Sequence, residues 1–74
     1  MNYTLEEYAR LTIPDSEYSS QLFDLAIESL QTDFEYFSNQ NKDLKMKLDD
    51  ENYYLILKVD IENDLIELEQ VEHG

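Results

Sequence analysis

The chain has 74 residues, with 18 acids against five lysines and arginines, and a formal net charge of −13. This length fits one domain, residues 1–74, and the lack of cysteine excludes disulfides and thiolate metal sites. The charge disfavours direct binding to nucleic acid or to an anionic membrane. The sequence also has no signal-peptide pattern and no apolar run near the roughly 20 residues that span a bilayer.

The acidity is concentrated in two segments. Residues 1–41 contain eight acids and only Arg10, a net charge of −7, and residues 59–74 contain six acids and no lysine or arginine. Residues 42–58 balance four lysines against four acids. Because 42% of the residues are hydrophobic, the sequence predicts a folded acidic domain rather than a disordered tail. Such a surface suits a basic partner, and many basic surfaces hold nucleic acid.

The N-terminal half predicts two helices. Thr4 and Glu7 fit a capping box for a short helix that Pro14 ends. Asp15 or Ser16 is then expected to cap a long helix. At 100° per residue, the apolar residues of the long helix lie within about 120° of arc. They form the expected core stripe: Leu22, Phe23, Ala26, Leu30, Phe34 and Phe37.

The C-terminal half changes to the period of two that is typical of strands. Strands are predicted over residues 44–48, 53–59 and 65–71, with turns at residues 49–52 and 62–64. The expected fold class is therefore α+β, a short helix and a long helix followed by a three-stranded antiparallel β-meander (ααβββ). The middle strand is expected at the centre of the sheet and the last strand at an edge, with the long helix packed on one face.

The charged residues of the long helix are predicted to form one line opposite its apolar stripe. Four carboxylates lie within about 40° of arc, and glutamines fill the gaps between them. At about 1.5 Å per residue the line is roughly 27 Å long, which matches about eight base-pair steps. No lysine or arginine lies between Arg10 and Lys42. The line consists of Glu17, Gln21, Asp24, Glu28, Gln31 and Glu35.

Two further features are expected to support this line. Glu67 and Glu69 share one face of the last predicted strand, about 6.6 Å apart. Tyr18 and Tyr36 project at the same angle beside the line, with Leu25 between them, and tyrosine beside charge is frequent at interfaces. An interface role is the favoured interpretation for Tyr36, whereas Tyr18 is expected to pack against the first helix.

The sequence predicts no enzyme, no cofactor and no metal. The sole histidine is His73, and no serine or threonine has a histidine or lysine arranged to activate it. The segment from Asp60 begins like a calcium loop. Leu65, however, replaces the glycine and Val71 replaces the bidentate acid that an EF-hand requires. No catalytic or metal-binding residue is therefore assigned.

The size, charge and helix-plus-meander layout of the chain resemble the small phage-encoded DNA-mimic inhibitors. These place carboxylates where a target protein binds phosphates, and they include inhibitors of CRISPR nucleases, restriction enzymes, uracil-DNA glycosylase and the sliding clamp. Residues 21–25, Gln-Leu-Phe-Asp-Leu, are also similar to the clamp-binding peptide Gln-Leu-(Ser or Asp)-Leu-Phe. Gln21 and Leu22 match, and the other residues are permuted. This segment acts either as that motif or as helix core.

The resemblance implies a host protein with a basic DNA channel, foremost the bacterial sliding clamp. We therefore expect an inhibitor of DNA replication that acts in the host bacterial cytoplasm. One alternative is a mimic directed at another of the enzymes above. Another is a non-mimic interaction module that binds through an apolar helix face and is acidic only for solubility. Because so small a core supplies about 3–5 kcal/mol, a homodimer is a further expectation.

Overall fold

The structure, a computed structural model, describes residues 1–48 and 52–71. Its elements in chain order are β1 (Asn2–Tyr3), α1 (Leu5–Thr12), a 3-10 helix (Asp15–Glu17), α2 (Ser20–Asn39), β2 (Leu44–Lys47), β3 (Tyr53–Asp60) and β4 (Leu65–Val71). The α+β class is confirmed, as are a short helix followed by a long one. His73 and residues 49–51 of the predicted first turn lie outside the described residues.

The sheet has four antiparallel strands rather than the predicted three, in the order β1-β4-β3-β2. The additional strand β1 pairs Asn2 with Glu67 and Tyr3 with Ile66. It therefore covers part of β4, and the prediction that β4 forms an edge of the sheet is wrong. Two residues are too few to show a strand period, so β1 is visible only through its backbone pairing.

One apolar layer lies between the two helices and one face of the sheet. Within it Leu30, Ile66 and Leu68 are the most completely enclosed. None of the charged side chains in residues 1–48 and 52–71 is buried, so this layer carries the fold without internal ion pairs. Its buried members are Tyr8, Ile27, Leu30, Leu44, Leu48, Tyr54, Ile56, Ile66 and Leu68.

The buried stripe of α2 is rotated slightly from the predicted one. Ile27 is buried, whereas Leu22 is 39% exposed. Leu30 lies near the centre of the buried stripe. In a projection down the helix axis, Leu22 lies about 80° away from it. Phe34 and Phe37 pack against the core as predicted. The prediction of Leu22 as a core residue is therefore wrong, and Ile27 takes its place.

Side-chain caps fix where the helices begin. Thr4 Oγ1 accepts a hydrogen bond from the Glu7 amide (3.1 Å), and Glu7 Oε1 accepts one from the Thr4 amide (2.9 Å). This is the predicted capping box. α2 begins later than predicted, because Ser19 Oγ accepts from the Leu22 amide (3.2 Å) and Ser20 is the first helical residue.

The end of α2 and the β3–β4 turn each use a non-glycine residue at positive φ, because the only glycine of the chain is Gly74. Asn41, at φ 56°, follows the C-terminus of α2, and the Lys42 amide donates back to the Phe37 carbonyl (2.9 Å). Asp64, at φ 54°, lies in the turn before β4. Asparagine and aspartate tolerate this left-handed conformation better than other non-glycine residues.

The β3–β4 turn is also attached to α1. The Asp60 carboxylate accepts from the side-chain and backbone N–H groups of Asn63 (2.9 and 3.2 Å), and these bonds lower the pKa of Asp60. Asp64 Oδ1 accepts from the amide of Leu5, the first residue of α1, at 2.9 Å. Two acids of the segment that resembles a calcium loop therefore have structural roles: Asp60 organises the turn and Asp64 caps α1.

We expect Asp64→Ala to lower the free energy of unfolding by about 1–2 kcal/mol, because alanine loses the bond to Leu5 and is unfavourable at positive φ. Asp64→Asn is the matched control, since asparagine keeps an oxygen acceptor and tolerates the conformation. Chemical denaturation measures the three proteins. Equal losses in the two variants would contradict this role.

Tyr8 links α1 to β2 through the core. Its side chain is almost fully buried, and its hydroxyl donates to Met46 Sδ at 3.6 Å. Burial raises the pKa of Tyr8 to about 12, and the negative charge of Asp33 adds to the rise. The folded state therefore keeps this phenol neutral at a pH where an unfolded tyrosine ionises.

This pKa shift predicts a loss of stability in alkali. Between pH 10 and 12 the unfolded chain releases the Tyr8 proton and the folded chain retains it, so stability present below pH 10 is lost. The free energy of unfolding should fall by about 2–3 kcal/mol across this range from Tyr8 alone. Chemical denaturation at successive pH values should show that Tyr8→Phe lacks this decrease in the free energy of unfolding. The control is Tyr36→Phe, which changes an exposed tyrosine and should keep the decrease. An unchanged fall in Tyr8→Phe would refute the assignment.

Candidate functional site

The outer surface of α2 presents carboxylates in a row. Asp24, Glu28 and Glu35 lie within about 40° of arc, outside the stripe that contains Ile27 and Leu30. We call these three residues the acidic line. The predicted glutamines lie beside them, and every member is exposed: Asp24, Glu28, Glu35, Gln21 and Gln31.

Glu17 does not belong to this row, contrary to the prediction. It is an exposed residue of the 3-10 helix, and the extended backbone of Tyr18 (ψ 126°) separates it from α2. Tyr18 is the only large apolar residue between Pro14 and Gln21, so a longer helix would bury little. The acidic line therefore runs from Asp24 to Glu35, about 17 Å instead of roughly 27 Å, or about five base-pair steps.

The acidic line has no internal counter-charge. Between described residues, the salt bridges are Arg10–Glu6 (3.2 Å) and Lys58–Asp60 (3.9 Å), and neither involves the line. Asp24 and Glu28 are also one helical turn apart, where like charges destabilise a helix by about 0.2–0.5 kcal/mol. The row is therefore unfavourable for α2 itself, which points to a role outside folding.

Exposed apolar side chains border the acidic line on one side. Leu25 is 59% and Tyr36 60% exposed, and Leu22 lies farther round the helix. The Tyr36 ring packs edge-on against Phe37, with centroids 6.0 Å apart. Aromatic and aliphatic side chains next to charge are typical of protein interfaces. We call Leu22, Leu25 and Tyr36 the apolar border.

Tyr18 contacts α1, as expected, but through a residue that was not predicted. The Arg10 guanidinium carbon lies 4.4 Å from the centre of the Tyr18 ring, within the range of a cation–π contact. Arg10 Nε also donates to Glu6 Oε1 at 3.2 Å. The only base in residues 1–41 is therefore held between one acid and one ring.

A cleft of about 370 Å³ opens between α1 and the start of α2. It combines two carboxylates from different helices with two aromatic rings, and it meets the acidic line at Asp24. No sequence pattern indicates this cleft, because only the packing of α1 on α2 brings its distant residues together. Its lining residues are Glu6, Tyr18, Ser20, Phe23 and Asp24.

Glu67 and Glu69 lie on the other side of the molecule. Their neighbours Ile66 and Leu68 face the core, so alternation along β4 directs both glutamates to the sheet face that the helices do not cover. Glu67 is half-buried and stands opposite Lys58 in the β3–β4 register. The structure therefore does not bring these carboxylates together with the acidic line.

The segment similar to the clamp-binding peptide lies within the first turns of α2. Phe23 packs against the core, while Leu22 and Leu25 are exposed. The segment is thus helical and only partly buried. Two of its apolar side chains belong to the apolar border and remain accessible to a partner.

Comparison with protein-family models, with curated proteins and with solved structures finds no match to this chain. Across residues 1–48 and 52–71, no helix is long and apolar enough to cross a membrane. Within the same residues, no group of three or more His, Cys, Asp or Glu side chains is arranged to hold a metal ion. The function is therefore inferred from the acidic line, the apolar border and the cleft.

The charge repulsion within the acidic line should lower the free energy of unfolding by a measurable amount. Glu28→Lys should raise the free energy of unfolding by about 0.5–1 kcal/mol at low salt, because it removes repulsion with Asp24 and adds an attractive pair. Glu28→Gln removes only the repulsion and should give about half the gain. Chemical denaturation at low and high salt measures both variants, and the gains should shrink as salt rises. A loss of stability in either variant would show that Glu28 supports the fold.

Proposed function

We propose that this chain is a phage-type DNA-mimic inhibitor that fills the basic DNA channel of a host protein. The leading target is the bacterial DNA polymerase sliding clamp, and the consequence is a block of DNA replication in the host cytoplasm. The protein acts by stoichiometric binding rather than by catalysis. The observation that carries the proposal is the acidic line, three exposed carboxylates with no ion pair to any described residue, on a helix that contains no lysine or arginine.

The spacing of the acidic line supports recognition by groups that bind phosphates. Along the helix axis Asp24 and Glu28 are about 6 Å apart, and Glu28 and Glu35 about 10.5 Å. Phosphates along one DNA strand advance about 3.4 Å per step, so the carboxylates correspond to every second or third phosphate. Each carboxylate can therefore pair with one of the lysine or arginine side chains that line a DNA channel.

The distribution of charge over the chain supports the same orientation. The segment that forms β1, α1 and α2 carries a net charge of −7, whereas residues 42–58 are balanced. Residues 59–74, which include β4, carry a further −6, and the lysines of residues 42–58 lie on this sheet side, whereas the helical side has Arg10 as its only lysine or arginine. A basic channel therefore meets less like charge on the helical side, and the net negative charge of the whole chain speeds association. The apolar border then adds desolvated contact that slows dissociation. A homodimer would have to form away from the acidic line, because two such rows repel.

Two alternatives remain proposals. A mimic directed at a CRISPR nuclease, a restriction enzyme or uracil-DNA glycosylase would use the same acidic line. A non-mimic interaction module is favoured by the exposure of Leu22, Leu25 and Tyr36, which offers an apolar helix face. The salt dependence of partner binding distinguishes the mimic from the module. Affinity that depends on charge pairs falls as the ionic strength rises, whereas affinity that depends on apolar contacts does not.

We expect the purified bacterial sliding clamp to bind the chain and to lose at least about tenfold in affinity between about 50 and about 200 mM salt. Clamp-dependent DNA synthesis should stop when the chain is added first, and excess clamp should restore it. Parallel assays use a CRISPR nuclease, a restriction enzyme and uracil-DNA glycosylase, each in competition with duplex DNA. Binding to none of these proteins would refute the mimic proposal.

A matched pair of variants tests the surface itself. Asp24→Asn/Glu28→Gln should weaken binding to the target by about tenfold or more, because it removes two charges that pair directly with the channel. Glu67→Gln/Glu69→Gln removes the same charge from the opposite face and should weaken binding less than about threefold. Circular dichroism checks that both variants fold. Equal effects would mean that net charge, and not the acidic line, determines binding.

A further inference from the structure

The cleft between α1 and α2 has the composition of a guanidinium site. Glu6 and Asp24 contribute carboxylates from two helices, and Tyr18 and Phe23 contribute aromatic rings. Carboxylates pair with the planar N–H fork of arginine, and aromatic rings stack against its face. Lysine, a compact and strongly hydrated cation, gains less from such a combination.

The structure already contains one guanidinium held by two of these lining residues. Arg10 lies over the Tyr18 ring at 4.4 Å and donates to Glu6 at 3.2 Å. Both contacts are at the surface, since the side chains of Arg10 and Glu6 are 53% and 64% exposed. A surface pair of this kind adds little to the stability of the fold, so an incoming side chain can compete for the same groups.

Asp24 differs from Glu6 in having no cation beside it among the described residues. It is exposed at the mouth of the cleft and is also the first member of the acidic line. The formal charges of Glu6, Asp24 and Arg10 leave the cleft with a net charge of −1. A second cation is therefore attracted to the cleft, and Asp24 is the free acceptor for it.

We propose that the cleft binds an arginine side chain of the basic partner. The guanidinium pairs with the Asp24 carboxylate and stacks against the Tyr18 ring, its stem packs against Phe23, and Arg10 shifts off the ring. A cleft of about 370 Å³ has room for one arginine side chain. This inference rests on the proposed function, because it names the side chain that a basic channel inserts.

The test uses capped oligoarginine and oligolysine peptides of equal length, titrated into the full chain by calorimetry at low salt. We expect the wild-type protein to bind oligoarginine about fivefold more tightly than oligolysine. Tyr18→Leu should reduce this preference to less than about twofold, because it removes the ring that distinguishes the two cations. The control is Tyr53→Leu, which replaces a tyrosine on the sheet and should keep the preference.

The intramolecular arginine provides a second, independent test. Arg10→Ala should raise the affinity for oligoarginine more than Lys42→Ala does, by about threefold, although both variants remove one positive charge. The reason is that Arg10 competes for the cleft and Lys42 lies after the far end of α2. NMR amide spectra of the isotope-labelled wild-type protein should show the largest peptide-induced shifts at Tyr18, Ser20 and Asp24. This measurement does not depend on whether the variants fold.

The outcomes separate this inference from the proposed function. If both peptides bind wild-type protein equally, or if Tyr18→Leu keeps the preference, the arginine site is wrong while a charged interface stands. Equal gains from Arg10→Ala and Lys42→Ala, or spectral changes away from the cleft, also overturn it. If neither peptide binds, recognition of a basic surface fails as well, and the proposed function fails with it.

Discussion

The structure depends on a single apolar layer between the two helices and one face of the sheet. Because Ile27 and Leu30 must enter this layer, the rotation of α2 about its axis is fixed, and the acidic line is turned to solvent. The same layer leaves the second sheet face uncovered, so Glu67 and Glu69 are directed away from the helices. The core therefore determines both the stability of the fold and which carboxylates lie on the same surface.

Two sets of acids within the described residues differ in what they contact. Glu7 completes a capping box, and Asp60 and Asp64 organise a turn, so these acids each offset part of the cost of a strongly negative chain. Asp24, Glu28 and Glu35 have no such contact with the rest of the described chain, and they repel one another along one helix. Because a core of this size typically supplies only about 3–5 kcal/mol, repulsion of this kind is a noticeable fraction of the stability.

The sequence predicted most local features and the antiparallel pairing of β2, β3 and β4, and it missed the short strand and the cleft that residues far apart in the chain form together. The capping box at Thr4, the strand at residues 65–71 and the α+β class follow from local chemistry and periodicity, and the structure confirms them. Strand β1 and the cleft exist only through long-range packing. The start of α2 was misplaced because several residues before it are good caps, and only burial selects Ser19 among them.

Under the proposed function, the acidic line attracts a basic channel, but attraction between charges acts over a distance and does not by itself fix the position of the helix along the channel. The acidic line alone would therefore account for attraction to the channel but not for the position that the helix takes along it. The cleft adds what the line lacks, because it joins a carboxylate to aromatic rings at one end of α2. Asp24 belongs to both features, so a side chain held there would align the remaining carboxylates with the channel. Charge would then provide the encounter, and packing at the cleft would provide the specificity.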